Sequence, residues 1–328
     1  MSKHNWFTNR GDITIHNMIR YLSGLRLAVA MLLAVVVMGC SGGAAEVAPE
    51  VFDEPLGGPE FSAVVVSNDL SVGGNRVIFG LVDRNNMPIR TDEANVESVY
   101  FSQGEETGEV KQTVVAKFVQ WPPGGRGVFV ASLSFDVAGQ GTTNNPGLWQ
   151  LQVSTTQDDG SLVRAQAALI VAEKPSTPAI GAQAPASVTP KVSEVEDIAT
   201  ISSAVTPDPD LYELSVHEGI AAGKPLVVVF STPAFCVSST CGPQVEIVSE
   251  VKERYKGRVN FIHVEVFNDP HLIEGGRPTG GLAAAVDEWG LPTEPWTFVV
   301  DDQGMVQAKF EQFTPALDIE GALDALLK

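Results

Sequence analysis

Cysteine, histidine and basic side chains are all scarce in this chain. It holds three cysteines, five histidines, and 21 Lys plus Arg against 40 Asp plus Glu, for a net charge of −19 over 328 residues. The shortage of base argues against a nucleic-acid partner, because holding phosphates needs clustered Lys and Arg. No glycine-rich loop joins an apolar strand to a helix, so no nucleotide or flavin cofactor is expected. The apolar run Leu27–Met38 is too short to span a bilayer comfortably. With 44% hydrophobic residues the composition is that of a globular protein, and the length suggests about two domains plus extensions.

The N-terminal stretch reads as a targeting segment. Lys3, Arg10, Arg20 and Arg26 make a basic flank, Leu27–Met38 an apolar core, and Val37-Met38-Gly39-Cys40 is followed by Ser41-Gly42-Gly43. This pattern resembles the bacterial lipoprotein signal. The resemblance implies that residues 1–39 are removed, that Cys40 is lipidated and anchors the chain to the membrane, and that the remainder is extracytoplasmic. An uncleaved membrane anchor is the alternative, with the same consequence for location. Residues 1–39 carry four bases and one acid, so without them the charge of −19 becomes −22. Residues 40–59 are small, acidic and proline-bearing, as in a tether.

From 60 to 172 the chain reads as all-β. Strand-like runs fall at Phe61–Ser67, Arg76–Val82, Val96–Ser102, Val114–Phe118, Gly127–Phe135, Leu148–Ser154 and Val163–Val171. Turn signals such as Gly73-Gly74-Asn75 and Asp158-Asp159-Gly160 separate them. Leu148–Val153 alternates with period two, so Trp149 belongs in a core. Seven short strands at this spacing predict a β-sandwich. The region looks like an immunoglobulin-like domain of bacterial surface proteins, and it holds neither Cys nor His. A spacer or a binding module is the expectation; fold alone implies no activity.

Residues 173–194 carry Pro175, Pro178, Pro185 and Pro190 without periodicity, which predicts an extended linker. Residues 195–328 form a second, α/β domain. Its expected elements are a helix at Leu214–Ala222, a strand at Leu226–Phe230, a helix to about Lys256 and a strand at Val259–Phe267. A helix at Gly281–Trp289, strands at Trp296–Val300 and Met305–Phe310, and a helix at Asp318–Leu327 follow. The order is α-β-α-β-α-β-β-α, a mixed sheet with helices on both sides.

The chain is organised around Val227–Pro243. An unbroken valine-rich strand runs into Ser231-Thr232-Pro233-Ala234-Phe235-Cys236-Val237-Ser238-Ser239-Thr240-Cys241-Gly242-Pro243, and helical spacing begins at Val245. A thiol at a helix N-terminus faces the positive end of the helix dipole and unpaired N–H groups, which favour thiolate. Cys236 and Cys241 can therefore cycle between dithiol and disulfide. The competing reading is a permanent disulfide that braces the loop.

Cysteines after the first core strand, within that element order, resemble the thioredoxin fold over roughly Leu214 to the C-terminus. Gly290-Leu291-Pro292-Thr293-Glu294-Pro295-Trp296-Thr297-Phe298 looks like the family segment carrying a cis-proline before a strand. The resemblance implies that Pro295 is cis and lies beside the cysteines, leaving a backbone edge for a partner's chain. Four residues separate the cysteines where thioredoxins have two. Cys241-Gly242-Pro243 matches the start of the family motif, but Gln244 stands where its second cysteine would be. Helix-dipole logic favours Cys241 as nucleophile, and loop exposure favours Cys236.

The spacing also resembles some two-cysteine peroxiredoxins, although Pro233 and Val229 stand where that family has threonine and proline. A copper-delivering thioredoxin-fold protein is a further option, with His263 or His271 as the third ligand. The reading carried forward is a membrane-tethered thiol–disulfide oxidoreductase that exchanges with a protein thiol or disulfide partner. A non-enzymatic surface binding protein with an inert disulfide is the alternative from another class.

Overall fold

The computed structural model describes residues 59–122, 124–142 and 147–328. The expected signal segment, Cys40 and the tether up to residue 58 lie outside the described residues. The described residues belong to one compact unit.

Its first half is seven antiparallel strands: β1 (Phe61–Val65), β2 (Gly73–Asp83), β3 (Glu93–Phe101), β4 (Glu109–Trp121), β5 (Arg126–Phe135), β6 (Leu148–Thr156) and β7 (Leu162–Leu169). They hydrogen-bond in the order β1-β2-β5-β4-β3-β6-β7. β4 changes partner along its length, pairing with β3 over Glu109–Lys117 and with β5 over Lys117–Trp121. This switch folds the array over one core, and β1 and β7 come against each other. β6 shows why alternation holds: Trp149, Leu151 and Val153 are buried while their neighbours are less so. Trp149 is fully buried, its indole N–H donates to Val137 O at 2.9 Å, and Phe135 and Tyr100 pack on its ring.

The proline-bearing stretch 173–194 is mostly extended, with a turn at Ala179–Ala182 and a short 3-10 helix at Val192–Glu194, and it is docked rather than free. Gly181 N–H donates to Val306 O, Val306 N–H to Ala182 O, and Ala184 N–H to Gly304 O. Thr177, Ala184, Ser187 and Thr189 are buried. Prolines suppress helix formation but leave an extended chain whose remaining N–H and C=O groups can pair along an edge. Gly290 and Gly304 allow the close approach. Each has positive φ (58° and 78°), and a Cβ there would sit 2.2 Å from Ser176 O and 2.4 Å from Gln183 Nε2 respectively.

The second half contains α1 (Val216–Ala221), β8 (Leu226–Ser231), α2 (Cys241–Arg254) and β9 (Asn260–Glu265). A small hairpin β10 (Ile273–Glu274) and β11 (Arg277–Pro278) follows, then α3 (Ala284–Glu288), β12 (Trp296–Val300), β13 (Val306–Glu311) and α4 (Ala316–Leu326). The sheet order is β13-β12-β8-β9, with β8 and β9 parallel and β12 antiparallel to both β8 and β13. This is a thioredoxin-like topology, resting on the strand pairing itself. β8 is buried along its whole length because both faces are covered. Val227 and Val229 join the core under α2 and α4, while Leu226, Val228 and Phe230 join the core that includes Val216, Ala285 and Trp289. Successive strand side chains point to opposite faces, so one unbroken apolar run serves two cores.

Candidate functional site

The end of β8, the loop 232–240 and the first turn of α2 bring the two cysteines together. Cys236 and Cys241 are disulfide-bonded, with Cα atoms 5.9 Å apart. Cys236 lies in the loop and is half-buried, whereas Cys241 is the first residue of α2 and is fully buried. The hydroxyl nearest Cys236 belongs to Ser238, 3.2 Å from its Sγ, and Ser238 Oγ is 2.6 Å from Thr240 Oγ1. Ser239, at φ 59°, takes the left-handed backbone that lets so short a loop close. Ser231, at the end of β8, donates from Oγ to Cys241 O at 3.0 Å and so ties the strand to the helix start.

Gln244 occupies the position where a thioredoxin carries its second cysteine, and it is fully buried. Its Nε2 donates to Thr297 Oγ1 at 3.1 Å and its Oε1 accepts from Thr314 N at 2.7 Å. It fastens the first turn of α2 to β12 and to the entry of α4.

The Glu294–Pro295 peptide is cis, and Trp296, the next residue, pairs with Phe230 of β8. The Gln312 N–H donates to Pro295 O at 2.8 Å, and Gln312 Nε2 donates to Glu294 O at 3.3 Å. The Glu294 side chain folds inward, toward the backbone N–H of Thr232 in the cysteine loop. Its Oε2 is buried without a hydrogen-bond partner. Burial first, and then the nearby charge of Glu265, push its carboxyl up to about 8. Glu265, at the end of β9, is buried and accepts from Ser203 N at 2.9 Å and Val266 N at 3.0 Å. Sequence reasoning passed over both carboxylates. A charged residue beside Pro295 carries no sign that its side chain turns inward.

The two candidate histidines lie in different settings. His263 is buried in β9. Its Nδ1 bonds the Tyr212 hydroxyl and its Nε2 lies 3.0 Å from Ser231 O, so both ring nitrogens are engaged within the fold. Burial depresses its pKa, against the opposing pull of Glu265 and of the Ser231 bond. The Tyr212 hydroxyl also lies 2.7 Å from Ser202 Oγ, and burial holds its pKa well above the usual value. His271 sits exposed in the loop after β9. Among the described residues no group of three or more His, Cys, Asp or Glu is placed to hold a metal ion. Thr232, the threonine nearest the peroxidase pattern, is buried with its hydroxyl 3.5 Å from that of Ser203.

Among the described residues no helix is long and apolar enough to cross a membrane. No family model matches the chain, and no curated protein does either. Solved structures resemble part of it, among them the following two. One is named for thiol:disulfide interchange protein DsbE from Chlorobium tepidum, at 14% identity and TM-score 0.33, over 46% of this chain and 100% of that one. The other is a DsbF homologue from Corynebacterium diphtheriae, at 17% identity and TM-score 0.28, over 38% of this chain and 82% of that one.

Proposed function

We propose that the chain is a thiol–disulfide oxidoreductase working through Cys236 and Cys241. The observation that carries this reading is the asymmetry of the pair: the half-buried sulfur of Cys236 is the one a partner can reach, and it is bonded to a buried sulfur at the start of a helix. A partner thiolate attacks Cys236 Sγ. The bond to Cys241 breaks, and its electron pair leaves on Cys241 Sγ. That thiolate forms beside the free N–H groups of the α2 N-terminus, which lower its basicity and make it the better leaving group. It then takes a proton from water. A second partner thiolate attacks the partner's own sulfur in the mixed disulfide and releases Cys236. Two electrons pass from the partner dithiol, which becomes a disulfide, to this pair, which becomes a dithiol. The same steps reversed reduce a partner disulfide.

In this reading the cis Glu294–Pro295 turn shapes the face the partner meets, since β12 itself is paired along both edges. Lipidation at Cys40 after loss of residues 1–39 places the chain outside the cytoplasm on a membrane, where disulfides persist. Residues 60–172 serve as an immunoglobulin-like module carrying the α/β domain.

Cys241→Ser should accumulate a mixed disulfide through Cys236 on incubation with a peptide disulfide, detected by mass. Cys236→Ser should not, its remaining thiol being buried. Trapping by neither variant, together with a reduction potential below about −300 mV, would leave the disulfide as a brace and end the proposal. Cys40→Ser should move the protein from the membrane pellet to the soluble fraction, and a variant that still pellets refutes the anchor.

A further inference from the structure

Beside the cysteine loop lies a groove of about 540 Å³. Pro233 and Ala234 of the loop, Gly242 and Val245 of α2, and the segment 203–206 form its floor and near wall. Val205, on that segment, is fully exposed, an apolar side chain standing in solvent at the lip. Along the far wall run Glu246, Glu250 and Glu253, at i, i+4 and i+7 on one face of α2. Asp208 adds a fourth carboxylate, and among the described residues no Lys or Arg lines the groove.

The nearby cations do not neutralise this wall. Lys252 is shared among Asp208 at 2.8 Å, Asp210 at 2.8 Å and Glu253 at 3.2 Å. Arg254 binds Glu320 and only approaches Glu250, at 3.9 Å. No ion pair involves Glu246 among the described residues. The groove therefore presents an apolar floor under a net negative rim, starting at the loop that carries the half-buried sulfur. The three glutamates span roughly 10 Å, the length of about three extended residues.

We infer that this groove is the docking site for the partner, and that the partner is a polypeptide segment carrying Lys or Arg about two to four residues from its reacting cysteine. This rests on the thiol–disulfide reading above and adds the substrate class. Complementary charge raises the encounter rate and fixes register, and its effect falls with added salt.

The test uses the oxidised full chain and three peptides of one sequence, each with a single cysteine flanked by Lys, Ser or Glu. Rates of mixed-disulfide formation are measured at low and high salt. Peptide thiol acidity varies with its flanks, so the quantity read is the Lys-to-Glu rate ratio of each variant relative to the wild type. The wild type should favour the Lys peptide about tenfold at low salt, and the preference should shrink at high salt. Glu246→Lys combined with Glu250→Lys should abolish or invert it. Glu105→Lys combined with Glu106→Lys, on the exposed β3–β4 connection, makes the same change in net charge and should leave it intact. Equal loss in both double variants would reduce the effect to net charge and overturn the docking site. Exchange without any preference overturns this inference alone, whereas no exchange with any peptide overturns the oxidoreductase reading itself.

Discussion

Asp69 and Lys309 form an ion pair at 3.0 Å between the β1–β2 connection and β13, with the Asp69 side chain only 5% exposed. Asp69 also accepts from the N–H and hydroxyl of Ser176 and of Thr177. One carboxylate thus joins the β-rich half, the docked proline segment and the α/β half. Burial works to raise its pKa, but the Thr177 hydroxyl, Lys309 and the Ser176 N–H outweigh it and hold the carboxyl below its usual range. Asp69→Asn should cost about 1–3 kcal/mol at neutral pH, since it leaves buried donors short of an acceptor. A depressed folded pKa gives stability that is present above the ordinary carboxylate range and lost as pH falls through it. The gap between wild type and variant in urea melts should therefore narrow in acid. A gap constant from pH 7 to pH 3 refutes this account.

Glu294 behaves in the opposite sense. Its carboxyl titrates near 8 in the fold against an ordinary 4.5, so the folded chain holds a proton that the unfolded chain releases across that window. Stability from this group is full below 4.5, declines as pH rises and levels off above about 8. Glu294→Gln should stabilise the protein by about 1–3 kcal/mol at pH 8 to 9 and by little at pH 4. Thermal melts at the two pH values measure this, and a gain of equal size at both contradicts the assignment.

Gln244→Ala should lower stability by about 1–3 kcal/mol, because the buried Thr314 N–H and Thr297 hydroxyl lose their partner. Hydrogen exchange should show the first turn of α2 opening more readily than its last turn. Uniform protection across the helix would mean that Gln244 does not fasten that turn.

Gly290→Ala meets two obstacles: a φ of 58°, and Ser176 O at 2.2 Å from the new Cβ. Backbone must move, at a cost of about 1–3 kcal/mol. Limited proteolysis should cut the 173–194 segment faster in this variant than in the wild type, and unchanged cleavage would show that the segment does not depend on this approach.

Much of the fold is legible in the sequence. The strand expected at Trp296–Val300 has those bounds, and Leu226–Phe230 extends by a single residue. A turn closed by the Gly304 N–H on Asp301 O joins the first of these to the next strand, which was expected at Met305–Phe310 and runs from Val306 to Glu311. β4 runs from Glu109 to Trp121 rather than Val114 to Phe118. Its first residues are mostly exposed and have no apolar alternation to announce them; pairing with β3 makes them a strand. The cysteine pair was legible from the strand and helix that flank it. The order of the two sulfurs was not, because exposure of a loop residue depends on what packs around it.

Taken alone, the sequence determined most of the strand and helix stretches, where the paired cysteines lie, and that Trp149 is core. Those follow from side-chain periodicity and from residues with restricted backbones, both local properties. Only the tertiary structure decided that Cys241 is buried while Cys236 is half-exposed, that Glu294 turns inward, and that the proline segment docks on β13. Burial and carboxyl acidity are set by neighbours distant along the chain, and no local pattern encodes them.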